Sequence, residues 1–112
     1  MNTKSAITAL AALAQESRLA VFRLLVATGP QGLAASKIAE SLAVPASSLS
    51  FHLKELSHAE LITAKQEGRF IIYSANFAAM QTLMDYLSEN CCHGEPCGVS
   101  TKPTCNSAPC AQ

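Results

Sequence analysis

The sequence has no tryptophan, and its aromatics are only four phenylalanines and two tyrosines. So few large rings, with Ala and Leu so frequent, favour packed helices over a β-sandwich. There is no charge excess either: eight Lys and Arg balance eight Asp and Glu. That excludes a histone-like binder held to nucleic acid by bulk charge, and leaves room for a local basic face. No stretch reaches the roughly 20 apolar residues of a membrane span. The first 90 positions hold no cysteine, so no disulfide staples that part of the chain. At 112 residues the chain has the length of one domain with a moderate core, for which oligomerisation is a gain.

The N-terminus admits two readings. Lys4 followed by an apolar run from Ala6 to Ala14, closing on Ala12-Leu13-Ala14, mimics a secretory signal. The run is short, however, and its helical pattern continues through Glu16 and Arg18 into Leu19, Phe22 and Val26. The preferred expectation is a first amphipathic helix in a cytoplasmic protein. Its cysteines would be reduced and suited to metal or thiol chemistry.

Periodicity predicts helices over Ser5–Ala14, with Ile7, Leu10 and Ala14 on one face, and over Gln15–Ala27, ended by Gly29-Pro30. A short helix is predicted for Ala35–Leu42 and a longer one for Ala46–Ala59, separated by Ala43-Val44-Pro45. Leu49, Leu53 and Leu56 make the buried stripe of the longer helix, whose N-terminal half is otherwise polar. A short helix, a tight turn and such a helix form a helix-turn-helix pattern. Leu61–Lys65 and Phe70–Ala75 read as a hairpin around Gln66-Glu67-Gly68-Arg69, the position of a wing. Asn76 caps a final helix, Phe77–Glu89. The fold class expected is mainly α with a β-hairpin wing, residues 1–89, followed by a flexible cysteine-rich tail, 90–112.

The segment Val44-Pro45-Ala46-Ser47-Ser48-Leu49-Ser50-Phe51-His52-Leu53-Lys54-Glu55-Leu56 resembles the recognition helix of ArsR/SmtB repressors, whose pattern is Ser-x-Val-Ser-x-His-Leu-x-x-Leu. Ala59-Glu60-Leu61-Ile62 resembles the family's Ala-Gly-Leu-Val, and Glu67-Gly68-Arg69 with Tyr73 resembles its wing. The resemblance covers about residues 5 to 89 and implies a repressor that binds palindromic operator DNA as a homodimer, with no membrane partner. Hydroxyls of Ser47, Ser48 and Ser50 suit phosphates or base edges at a positive helix end. His52 suits a base or phosphate and Lys54 a phosphate. Arg69 suits a minor groove or the backbone. The blander readings are helix caps for the serines, a buttress for His52 and a solvated turn for Arg69. Phe51 stands where relatives carry a polar residue or a second His. It can stack, touch a thymine methyl, or pack under the wing.

All five cysteines fall at or beyond position 91. The family's inducer sites include a cysteine motif before the recognition helix and paired Asp and His residues on the last helix. Here Gly32–Ile38 has no cysteine, and the last helix offers Asp85 and Glu89 without His. What remains is Cys91, Cys92 and Cys97, which resemble the C-terminal three-thiolate site of arsenic-responsive relatives. Soft thiolates favour soft ions, so As(III) or Sb(III) is the expected inducer. Zinc with His93 added, cadmium, lead, thiol oxidation, or an idle tail are the alternatives. Cys105 and Cys110 are expected to be dispensable.

The terminal helices of such folds pair across a two-fold axis. Ile7, Leu10, Met80, Leu83 and Leu87 are the candidate dimer surface, against burial inside one subunit. An enzyme, such as an arsenate reductase or thiol oxidoreductase, is not expected. Its nucleophilic cysteine belongs near a helix N-terminus, whereas these follow a helix C-terminus, whose negative end disfavours a thiolate.

Overall fold

The computed structural model describes residues 1–90. Asn2 opens the first helix, its side chain accepting from the Ser5 N–H at 2.8 Å, and α1 spans Thr3–Leu13. Gln15 caps the second, accepting from the Arg18 N–H at 2.8 Å, and α2 spans Glu16–Thr28. The Arg18 Nε donates back to the Ala12 carbonyl at 2.6 Å, which fixes the turn between the two helices. Then come β1 (Leu33–Ala34), α3 (Ala35–Leu42), α4 (Ala46–His58), β2 (Ile62–Glu67), β3 (Phe70–Ala75) and α5 (Phe77–Leu87). The strands form one antiparallel sheet in the order β1-β3-β2.

The core gathers one face from each helix. Val21 and Leu25 of α2, Ile38 of α3, Leu49, Leu53 and Leu56 of α4, and Leu83 of α5 are all buried. Leu61 and Ile62, where the chain enters the sheet, are buried with them, as is Ala75 where it leaves. Burying a Leu or Ile side chain is worth about 1.5–3 kcal/mol, so this contiguous set dominates stability.

The terminal helices show which of their residues pack inward. In α1 the buried residues are Ala6, Ala9 and Ala12, whereas Ile7 and Leu10 point to solvent. Small side chains let α1 lie close to its neighbours. In α5 Leu83 is only 6% exposed and belongs to the core of its own subunit, and Met80 is partly buried against it. As a surface residue Leu83 is therefore corrected: the exposed apolar positions of α5 are Met84 and Leu87. α5 is apolar on several sides, so its period alone does not say which residue faces in.

The helix ends are also specific. At the end of α4 the Leu61 N–H donates to the Leu56 carbonyl at 3.0 Å and the Glu60 N–H to the Ser57 carbonyl at 2.9 Å. This pair of bonds is the Schellman arrangement, which requires a left-handed residue between helix and exit. Glu60 fills that position with φ +63°. Ala43, at φ +54°, does the same after α3, where the Val44 N–H donates to the Ala39 carbonyl at 3.1 Å.

A candidate nucleic-acid interface

α3 and α4 are joined by the turn through Ala43, Val44 and Pro45, and α4 turns its Leu49, Leu53, Leu56 stripe inward. An α-helix advances about 100° per residue. The residues opposite that stripe are Ser47, Phe51, Lys54 and His58, and all four are exposed. Ser48 and Ser50 are exposed beside them. Pro45 occupies the N-cap and makes no side-chain hydrogen bond, so the serines lie inside the first turns and not at the cap position. The first bond of the helix runs from the Leu49 N–H to the Pro45 carbonyl at 2.9 Å. The N–H groups ahead of Leu49 thus lack an acceptor within the helix, and they add to the positive end that favours phosphate.

His52 is placed differently. It lies at the edge of the buried stripe and is half-buried, and its Nδ1 is buried with no hydrogen-bond partner among the described residues. Its ring meets Phe51 edge to face, with centroids 5.8 Å apart and an interplanar angle of 61°. The geometry joins His52 to the flank of the helix; of the residues expected to contact DNA, Ser47 and Lys54 stand on its outer side and Ser48 and Ser50 beside them.

The wing is a tight hairpin. Glu67 pairs with Phe70, leaving a loop of only Gly68 and Arg69, shorter than the four residues the sequence suggested. Gly68 takes φ +64° at the first loop position, as a two-residue hairpin turn demands. Arg69 is exposed at the tip. Next to it Phe70 is 61% exposed, an apolar tip residue that strand alternation alone did not single out. Lys65 and Glu67 share the outer face of β2 and pair at 3.3 Å.

β1 ties this wing to the helices. Leu33 pairs with Tyr73 and Ala34 with Ile72, directly before α3 begins. Gly32 precedes β1 with φ +71°, and a Cβ there would sit 2.4 Å from the Tyr73 carbonyl oxygen. A side chain at this point would push β1 off β3. This strand was not foreseen, since two residues carry no period.

Ile7 and Leu87 are each 60% exposed, and Leu10 and Met84 are exposed with them. α1 and α5 are joined by a 2.7 Å hydrogen bond between Thr3 Oγ1 and the Tyr86 hydroxyl. No group of three metal-ligating side chains occurs among the described residues, and no described helix is long and apolar enough to cross a membrane. Cys91, Cys92 and Cys97 lie outside the described residues.

Residues 13–63 match the family described as a helix-turn-helix domain. No relative among curated proteins matches the chain. Solved structures do. An ArsR-like transcriptional regulator from Rhodococcus sp. RHA1 is 26% identical, with a TM-score of 0.67 over 76% of this chain and 77% of its own. HlyU from Vibrio cholerae N16961 is 26% identical, with a TM-score of 0.61 over 78% and 97%. The winged helix-turn-helix domain of a possible ArsR-family regulator from Mycobacterium bovis is 26% identical, with a TM-score of 0.60 over 76% and 83%. The inward leucine stripe, the exposed outer face of α4 and the hairpin that follows it agree with these likenesses: the chain has the winged helix-turn-helix fold and is similar to DNA-binding transcriptional regulators of the ArsR type.

Proposed function

We propose that the protein is a cytoplasmic repressor that binds a palindromic operator as a homodimer and leaves it when As(III) or Sb(III) binds Cys91, Cys92 and Cys97. The observation that carries DNA binding is the outer face of α4 beside a wing tipped by Arg69. Dimerisation is supported by exposed Ile7, Leu10, Met84 and Leu87 on the terminal helices, and by the M. bovis relative, whose domain is homodimeric. Two recognition helices related by a two-fold axis match two half-sites about one helical turn apart.

The inducer reading is supported by the donor set. Thiolates are soft, and a trivalent metalloid takes three of them while its lone pair stays open. Three As–S bonds form, three As–O bonds break, and each thiol proton leaves on a departing hydroxide as water. A similar solved structure, 27% identical with a TM-score of 0.58 over 70% of this chain and 82% of its own, is of a possible transcriptional regulator for arsenical resistance. Cys91 comes four positions after the last residue of α5 in sequence, which ties an ion held there to a terminal helix through a short stretch of chain. By linkage, the ion binds the DNA-free form more tightly, and DNA weakens ion binding by the same factor.

A mobility shift on the protein's own upstream promoter tests this, with As(III), Sb(III), Zn(II), Cd(II), Pb(II) and an oxidant in parallel. Release by As(III) or Sb(III) is expected in the wild type and lost in Cys91→Ser, Cys92→Ser and Cys97→Ser. Release that survives in all three variants overturns the site. Release by zinc, cadmium, lead or oxidant alone transfers these cysteines to the other chemistry.

A further inference from the structure

Phe51 is an exposed residue on the outer face of α4 to which the DNA-binding reading has given no role. It is 55% exposed, although it sits in the middle of a helix whose inward face is closed by Leu49, Leu53 and Leu56. At about 100° per residue it points about 140–160° away from each of those leucines. It follows Ser47 by four residues and precedes Lys54 by three, so the three side chains lie along one line of the helix surface. Among the described residues, the only aromatic neighbour of its ring is the partly buried His52, met edge to face. That contact steadies the ring on one side and leaves the rest of it open. Such exposure rules out the reading in which Phe51 packs under the wing.

An exposed phenyl ring at the centre of a reading face can neither donate nor accept a hydrogen bond. The major-groove edges of the four base pairs present one apolar group among their donors and acceptors, the C5-methyl of thymine. Stacking between bases would require the duplex to be unstacked, which costs a few kcal/mol per step. A methyl at the groove edge is met with no such deformation.

We infer that Phe51 is a specificity-determining residue that contacts a thymine C5-methyl in each half-site. This rests on the DNA-binding reading above. Flanking groups divide the work: Ser47 and the N-terminal N–H groups hold phosphate on one side, Lys54 holds it on the other, and Phe51 meets a base between them. The protein thus favours a thymine at a symmetric pair of operator positions through apolar contact alone.

The test separates methyl recognition from hydrogen bonding. Operator duplexes are first selected from random DNA with the full chain. Each symmetric thymine pair is then replaced by deoxyuridine, which removes the methyl and keeps every donor and acceptor. Wild type and Phe51→Ala are compared by fluorescence anisotropy. Burial of one methyl predicts about fourfold weaker binding per half-site, and about sixteenfold for the symmetric pair. Phe51→Ala is expected to bind the thymine operator as weakly as wild type binds the uracil one, and to be indifferent to the replacement. Because Phe51 is exposed, the variant should unfold at the wild-type temperature, and circular dichroism checks that. A wild type that binds the selected operator but ignores every replacement overturns the inference. So does a Phe51→Ala variant that keeps the full uracil effect. Failure to select any duplex removes the DNA-binding reading itself, a result that is distinguishable from both.

Discussion

Glu60→Gly should make the protein more stable. Glu60 closes the Schellman turn after α4 at φ +63°, a conformation that costs an L-residue about 1–2 kcal/mol and glycine almost nothing. Glycine returns part of that gain, about 0.4–1 kcal/mol, because it loosens the unfolded chain. The net expectation is about 0.5–1 kcal/mol of added stability. None of the hydrogen bonds at the turn needs the glutamate side chain: Leu61 and Glu60 donate through their backbone N–H groups, and the Glu60 carbonyl accepts from Asn76 Nδ2 at 3.0 Å. For a domain of this size the change raises the melting temperature by roughly 2–8 °C. Thermal unfolding followed by circular dichroism at one fixed protein concentration measures it, since dimerisation makes melting depend on concentration. Glu60→Ala is the control: it removes the charge but keeps the Cβ, and should gain nothing. A Glu60→Gly melting temperature equal to or below that of the wild type would refute the account, as would an equal gain in Glu60→Ala.

Gly32→Ala should be strongly destabilising, because its Cβ would meet the Tyr73 carbonyl at φ +71°. Backbone cost and overpacking together give about 2–4 kcal/mol, and a fall of at least about 8 °C in melting temperature reads it. A milder fall would mean that β1 separates from β3 without disturbing the helices. Arg69→Ala should weaken operator and random DNA alike and reduce the slope of log affinity against log salt by about one for each wing on the DNA. An unchanged slope would leave Arg69 a solvated turn residue.

Much of the fold was legible because period and punctuation agreed. Leu49, Leu53 and Leu56 place α4, and Ala43-Val44-Pro45 separates it from α3. What escaped had physical causes. β1 is two residues long and has no alternation to read. The inward face of α1 is Ala6, Ala9 and Ala12, small residues that an apolar run rich in alanine does not single out. Leu83 and Met84 are adjacent and both apolar, so composition does not decide which faces the core. The half-burial of His52 follows from its angle at the edge of the leucine stripe, which a Ser-x-His motif does not express. The candidate thiolates lie outside the described residues, and their assignment stays with the sequence and with the release assay.

The small strand before α3 has a mechanical consequence. The wing is anchored at its base to the segment that launches the helix-turn-helix, and Ile62 and Ala75, at the open end of the hairpin, are sunk in the common core. A hairpin held at two places on its base has no joint there, and only its tip at Gly68 and Arg69 stands free of the core. Recognition helix and wing therefore travel together as a rigid stylus. Under the proposed function, a signal that lifts it from the groove would swing the whole stylus, and so change the distance between two such tips without blunting either one.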